Sequence, residues 1–509
     1  MSSLVKKLVY YGQKHLGLNN LDAIYVSNVL YRKLNIQYSE EEVELNYIDD
    51  LKVPDVLLDE LREHIKNNNL VEESKVELFI VEIMGDITPL PSQVVNTFNK
   101  LKEEQGNEAA CNYLLDLEIK NNYIQKTAVD KNIYWKADLE DNFLEITINM
   151  SKPEKNNKDI AKLISAPKTN VKYPKCLLCI ENLGYQGRSD HPARENIRII
   201  PLKLNNENYF MQYSPYVYYD HHCIVINNEH RNMAIDRTNL AALFDFVDVM
   251  DNYFIGSNSD LPIVGGSILN HAHFQGGSHL MPLMYSKIKY AFNIPNFDDV
   301  SVNYLDWYNS TFFLKGKDKN RVLDCACHIL DTWRGYSDEE AEVLAYTDAR
   351  HNTITPIVRK VNNEYYAYLI LRNNRCNDKH PDGIFHAHQE YFNIKKEGIG
   401  LIEAMGLFIL PPRLKRQMGY IQEILSEDKK LETYYEKYED LIIHKDMIDY
   451  LVSNYGRNLE DNKINEVITD YIANTCRSIL INTAVFKNDE LGNSALDKFM
   501  EGVLNETRN

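Results

Sequence analysis

Eight cysteines in a chain of 509 residues are too few for a disulfide framework. They read as reduced thiols, so the fold must be held by its core, and a chain this long can bury a large one. Long apolar runs are missing too. The N-terminus, MSSLVKKLVYYGQKHLGL, lacks the hydrophobic stretch of a secretory signal. The longest apolar stretch, IGLIEAMGLFIL, is interrupted by Glu403 and is too short to span a bilayer. The expectation is a cytoplasmic chain with no membrane partner. Positive charge is also scarce: 56 Lys and Arg against 74 Asp and Glu leave a net charge of −18. A general nucleic-acid binder needs a basic face, so no nucleic-acid partner is expected. A small anionic substrate stays open, because a local arginine cluster acts at short range.

What is present is an ordinary globular composition, 44% hydrophobic and 26% charged. The length suits roughly two to four domains, or one enlarged domain with additions. Residues 1–130 read as mainly helical. Leu4, Val5, Leu8, Val9 and Leu16 share one face, Asp55 is placed to cap the helix in VPDVLLDELREHI, and Ser92 to cap one after Pro91. Alternating, β-branched segments follow: FLEITINM, HHCIVIN, and TITPIVRKVNNEYYAYLILR, which reads as a hairpin turning at Asn362 and Asn363. From about residue 411 the chain is helical again, ending in a helix whose capping box would be Ser494 and Asp497. The fold class is α+β. His-Ala-His occurs at 271–273 and again at 386–388, a hint of an internal repeat.

The densest chemistry lies in GGSILNHAHFQGG, residues 265–277. LPIVGGSIL reads as strand, and in a strand His271, His273 and Gln275 point the same way. Gly265, Gly266, Gly276 and Gly277 allow a backbone or ligand to approach closely. A neutral imidazole is nucleophilic near pH 7, and Gln275 is suited to donate to a phosphoryl oxygen. The pattern therefore points to phosphoryl or nucleotidyl transfer with a histidine nucleophile. A single histidine in a strand is usually structural; the spacing of this set and its glycine flanks argue otherwise.

Two further groups stand out. Cys176-x-x-Cys179 has zinc-ligand spacing, and His230 and His271 are candidate partners in a closed Cys2His2 set; a redox pair or a merely buried pair is the alternative. ENLGYQGRSDHPARENIRIIPL carries Arg188, His191, Arg194 and Arg198, a candidate anion-contact group. His386 and His388 suit a metal or substrate contact and equally a structural role.

GYQGRSDHPAREN, GGSILNHAHFQGG and KKEGIGLIEAMG together resemble the bacterial type 2 galactose-1-phosphate uridylyltransferases. The likeness runs from TPLPSQVVNTF through SKPEKNNKDIA to the helical end. It implies two histidine-triad-like antiparallel-sheet halves, at residues 131–285 and 286–412, between helical regions at 1–130 and 413–509. It implies a ping-pong exchange of UMP between UDP-glucose and galactose 1-phosphate, with those two sugars as partners and a homodimer as one assembly it admits. By the same resemblance His273 is the nucleophile and Gln275 contacts the phosphoryl group. Zinc would sit on Cys176, Cys179, His230 and His271, and His386, His388 and Glu403 would meet the hexose side. Ala272 departs from the related type 1 motif, which has proline there. A histidine-triad nucleotide hydrolase or phosphorylase, and a non-catalytic sugar-nucleotide binding protein, are the alternative readings.

Overall fold

The computed structural model describes residues 2–140, 142–151, 173–266 and 268–506. SKPEKNNKDIA, one stretch of the resemblance, lies from Lys152 onward outside the described residues. The chain divides into two units, Met1–Lys131 with Lys155–Arg231, and Asn132–Glu154 with Asn232–Asn509. Strands are numbered along the chain. The first two, β1 (Ile133–Asp138) and β2 (Phe143–Ile148), belong to the second unit.

The first unit starts with helices Ser2–Tyr11, Asn20–Lys33, Asp55–Asn67, Val76–Ile87, Pro91–Gln105 and Asn107–Lys120. Leu4, Val5, Leu8, Val9 and Leu16 are all buried, as their spacing predicts. Two caps fall elsewhere than expected. Asp55 is the first helical residue rather than the cap. Ser92 lies inside its helix: Pro91 takes the first helical position, and the Gln93 side chain accepts from the Leu90 N–H at 2.9 Å. After the helices come β3 (Ile200–Leu204), β4 (Glu207–Tyr213) and β5 (Cys223–Asn227), an antiparallel run in sequence order.

In the second unit β1 pairs antiparallel with β2, and β13 (Leu407–Leu410) pairs parallel with β2. The larger set comprises β6 (Phe254–Gly256), β7 (His273–Gly277), β8 (Ile288–Phe292), β9 (Ser301–Leu305), β10 (Thr311–Gly316), β11 (Asn352–Val361) and β12 (Glu364–Asn373), in the order β7-β6-β11-β12-β10-β9-β8. The expected hairpin is β11–β12. Asn362 and Asn363 both have positive φ, 50° and 62°, the turn that matches strand twist and tolerates asparagine. Helices Arg237–Val249 and Lys319–Gly335 pack on β11, and Glu490–Glu506 packs on Lys319–Gly335 through Trp333 and Phe499. That last helix starts four residues before Ser494, because Asp489 caps it: its carboxylate accepts from Gly492 N at 2.7 Å. Helix and antiparallel sheet together make the α+β class. No single helix is long and apolar enough to cross a membrane among the described residues.

Candidate functional site

The strand expected over LPIVGGSIL does not form. Residues 261–264 turn instead: Val264 N donates to Pro262 O at 2.9 Å, and Ile263 has φ of 72°, outside any strand. Extended pairing starts at His273. From there β7 runs antiparallel to β6, with Gln275 opposite Gly256 and Gly276 opposite Ile255. His273 and Gln275 therefore share a face of β7, while His271 sits in the bend just before it.

His271 and His273 are both buried and Gln275 is half-buried. His273 Nδ1 lies 2.8 Å from the His271 carbonyl oxygen. A carbonyl only accepts, so Nδ1 carries the proton and donates, and Nε2 keeps its lone pair. Burial holds the His273 pKa below the ordinary imidazole value, opposed by that hydrogen bond. The ring is thus neutral at neutral pH, with its tautomer set by the chain's own backbone.

The glycines serve the protein's own packing. A Cβ at Gly276 would stand 2.4 Å from Phe254 O, one at Gly265 would stand 2.5 Å from both Leu261 O and Ser259 O, and one at Gly266 would stand 2.8 Å from Asn258 Nδ2. At these three positions it is the protein's own backbone and Asn258 that approach. Gly277 ends β7 and is buried.

In the first unit Cys176, Cys179 and His230 converge, with donor atoms within 4.8 Å of one another. Cys176 Sγ is 3.5 Å from Cys179 Sγ, which is 3.2 Å from His230 Nδ1. Two thiols and an imidazole in this arrangement fit a tetrahedral divalent ion. His271, the fourth expected donor, belongs to the second unit. Asn182, which the sequence reading missed, braces the knuckle: its Nδ2 donates to Cys176 O at 2.9 Å and Cys179 O at 2.8 Å. His191 Nε2 in turn donates to Asn182 Oδ1 at 2.6 Å. His191, expected as an anion contact, is therefore a buried support of the Cys-x-x-Cys turn, like the outer partners that orient metal ligands elsewhere.

The rest of the expected anion group divides as well. Arg198 departs from it: the residue is 3% exposed, and its guanidinium donates to the carbonyls of Pro89, Glu195, Ile197 and Thr88. Arg188 pairs with Asp190 at 2.5 Å and also donates to Tyr173 O and the Tyr185 hydroxyl. Arg194 donates to Ala193 O at 3.2 Å and lies over the Tyr123 ring, 5.4 Å from its centroid. It keeps most of its donors for other use.

His386 and His388 lie in a loop and face different neighbours. His386 Nε2 accepts from Ile399 N at 3.2 Å, and burial, then the Arg372 charge, push its pKa down to about 4. His388 stacks on His380, centroids 3.9 Å apart, and donates to Ile384 O at 3.1 Å. The two do not converge on one point. Glu403 is buried in the turn Leu401–Ala404; Lys395 Nζ donates to its Oε1 at 2.9 Å, and Gly400 N to its Oε2 at 3.3 Å. Arg372, Lys395 and Asn258 surround it and were not singled out from sequence. The signal available was an arginine closing the apolar run AYLILR.

Known proteins resemble this chain over nearly its whole length. The family model described as galactose-1-phosphate uridyl transferase, N-terminal domain, matches residues 18–232, and its C-terminal counterpart matches residues 246–437. The galactose-1-phosphate uridylyltransferase of Caldanaerobacter subterraneus subsp. tengcongensis is 41% identical over 98% of this chain and 97% of its own. That of Clostridium acetobutylicum is 42% identical over 97% and 98%, and that of Bacillus subtilis 38% over 98% and 96%. A crystal structure of yeast Ap4A phosphorylase Apa2 aligns with 65% of this chain and 89% of that one at 11% identity and a TM-score of 0.30, too slight a likeness to argue from. Identity near two-fifths sustained from end to end is what shared descent looks like, and the chain belongs to the galactose-1-phosphate uridylyltransferase family.

Proposed function

We propose that this chain exchanges UMP between UDP-glucose and galactose 1-phosphate, giving glucose 1-phosphate and UDP-galactose, through a uridylyl group carried on His273. The observation that carries the reading is the 2.8 Å contact of His273 Nδ1 with the His271 carbonyl, which leaves Nε2 as the free nucleophilic atom. Nε2 attacks the α-phosphorus of UDP-glucose. The N–P bond forms as the P–O bond to glucose 1-phosphate breaks, and the leaving group takes that electron pair. The imidazole becomes cationic, and the His271 carbonyl accepts from its remaining N–H. In the second step a phosphate oxygen of galactose 1-phosphate attacks the same phosphorus, and the N–P pair returns to the ring. Both nucleophiles are unprotonated at neutral pH, so no general base is required. Gln275, on the same face of β7, donates its amide N–H to a non-bridging oxygen as charge develops there. Arg188 and Arg194 remain anion-contact candidates, with Arg194 favoured by its uncommitted donors. Glu403 would accept from hexose hydroxyls.

Zinc is the metal whose donor preferences suit Cys176, Cys179 and His230. With His271, the fourth ligand that the resemblance implies, they would make the closed tetrahedral Cys2His2 set that zinc takes in structural sites. The ion would supply a cross-link, not a reacting group.

The test is covalent labelling. Protein incubated with UDP-glucose gains the mass of one UMP on the peptide carrying His273, and His273→Ala gains none. Labelling retained in that variant overturns the assignment. Release of UMP to water, with no dependence on galactose 1-phosphate, would favour a hydrolase instead.

A further inference from the structure

Arg372, the last residue but one of β12, lies inside the second unit, 1% exposed. Its Nη2 donates to Ile399 O at 2.8 Å; its Nε and Nη1 are buried and meet no acceptor among the described residues. A buried cation with idle donors is costly, and native structures rarely keep one without a purpose. The neighbours do not quench it. Glu403 is the nearest opposing charge, yet its two oxygens face Lys395 Nζ and Gly400 N. Lys395 is itself buried, so two interior cations share one interior carboxylate. Glu397, 3.4 Å from Lys395, is exposed and screened.

The cluster stands at the nucleophile's end of the sheet. The β6–β7 ladder sets Gly256 opposite Gln275, and Asn258 follows two residues beyond that last pair. Asn258 Oδ1 accepts from Leu401 N at 2.8 Å, within the turn that carries Glu403. A Cβ at Gly398 would lie 3.8 Å from Gly265 O and 4.0 Å from His386 Nε2, so this glycine stretch runs beside the one leading to His271.

We infer that Arg372 binds the phosphate of the hexose 1-phosphate half of the substrate, the group common to galactose 1-phosphate, glucose 1-phosphate and the sugar end of UDP-glucose. The identity of that ligand rests on the uridylyl-transfer reading; the need for an anion rests on the idle buried donors. A phosphate oxygen accepts from Nε or Nη1 and neutralises the surplus charge, and Glu403 alongside accepts from the sugar's hydroxyls.

The experiment is calorimetric titration of the full chain with galactose 1-phosphate, which cannot react in the absence of a uridylyl donor, with galactose and UMP titrated in parallel. Wild type binds galactose 1-phosphate more tightly than galactose. In Arg372→Met that affinity falls on the order of 10- to 100-fold while UMP affinity holds within about twofold. Unchanged galactose 1-phosphate affinity, an equal loss for UMP, or no binding to wild type overturns the inference. Should Arg372→Met fail to fold, Arg372→Lys carries the same test, because it keeps the charge and loses the guanidinium donors; a selective loss is again expected. Failure of the transfer reading shows separately, as absence of UMP on wild-type His273 after treatment with UDP-glucose.

Discussion

Two buried arginines, one in each unit, look alike by every bulk measure. Arg198 is 3% exposed and Arg372 is 1% exposed, and burial pushes both guanidinium pKa values down to about 10. They differ in what their nitrogens meet. All three nitrogens of Arg198 donate to backbone carbonyls, and its own N–H donates to Glu118 Oε1 at 2.7 Å. Arg372 donates from one nitrogen and leaves two idle. A fully satisfied buried charge is a structural tie; a partly satisfied one waits for something. The same rule sorts the histidines. Each ring is bonded at one nitrogen, but His191 Nε2 donates to the side chain that fixes the Cys-x-x-Cys turn, while His273 Nδ1 donates to the carbonyl two residues before it.

The sharpest way to break this comparison is to remove both charges. Arg198→Met strands four carbonyls in the interior and is expected to destabilise the chain by about 3–5 kcal/mol, read as the urea midpoint. The folded fraction should still take UMP onto His273. Arg372→Met strands only the Ile399 carbonyl and removes a buried charge that one hydrogen bond and the Glu403 charge offset only in part, so its midpoint should stay near wild type or rise. Equal losses in the two variants would erase the distinction.

Asn182 tests the satisfied side more gently. Asn182→Ala takes the side-chain partner from His191 Nε2 and from two knuckle carbonyls, which keep the backbone donors Cys179 N and Asn182 N. It should cost about 2 kcal/mol and lower the metal content of purified protein, measured by elemental analysis against Cys176→Ser as the reference for loss. Wild-type metal content in Asn182→Ala would mean the turn holds its shape unaided.

How much of this was legible in the sequence follows from the same physics. Periodicity gave the N-terminal helix stripe, the β11–β12 hairpin and its Asn-Asn turn, because local burial and backbone preference decide those. The shared face of His273 and Gln275 and the meeting of Cys176 with Cys179 were legible because strand alternation and a two-residue spacing fix such geometry locally. The strand expected over LPIVGGSIL was not, because a positive φ at Ile263 is imposed by surroundings that no local pattern encodes. The arginine group misled for a related reason. Composition says that a segment holds Arg188, Arg194 and Arg198, but only the fold decides which one is turned inward onto carbonyls 109 and 110 residues away. Arg372 was overlooked because it is a lone charge ending an apolar strand, with Lys395 and Glu403 brought beside it from a later loop.

Glu118 sharpens the comparison from the other side of Arg198. Burial raises its carboxyl to about 8, opposed by the Arg198 N–H bond and the Arg198 and Arg194 charges. In the unfolded chain the group ionises near its ordinary value of 4.5. The folded state therefore holds a proton that the unfolded state releases, and stability is lost as pH rises from about 4.5 through about 8. Glu195, raised to about 7 by burial, adds to the same slope. Glu118→Gln keeps the acceptor for Arg198 N and cannot ionise. It should flatten part of the decline and gain on the order of 1–2 kcal/mol over wild type at alkaline pH, seen in melting temperature across the range. An unchanged slope would mean the Glu118 carboxyl already ionises in the folded chain.

The smallest expected effect bears on His273, the proposed nucleophile. Burial lowers the His273 pKa below 6.5, so protonation of Nε2 sets in only at more acidic pH than for an exposed ring. A group with a depressed folded pKa stays neutral until pH falls through that lower value. The rate of UMP transfer from UDP-glucose to His273, followed by mass in single-turnover reactions, should therefore fall less between pH 7.5 and 5.5 than the roughly tenfold that an unperturbed imidazole would lose. A tenfold fall with a midpoint at 6.5 would mean that the ring is solvated when it reacts, and that the bond from Nδ1 to the His271 carbonyl does not persist in the working enzyme. In that event His273 would join the groups that the interior leaves open, with water rather than substrate at its free nitrogen.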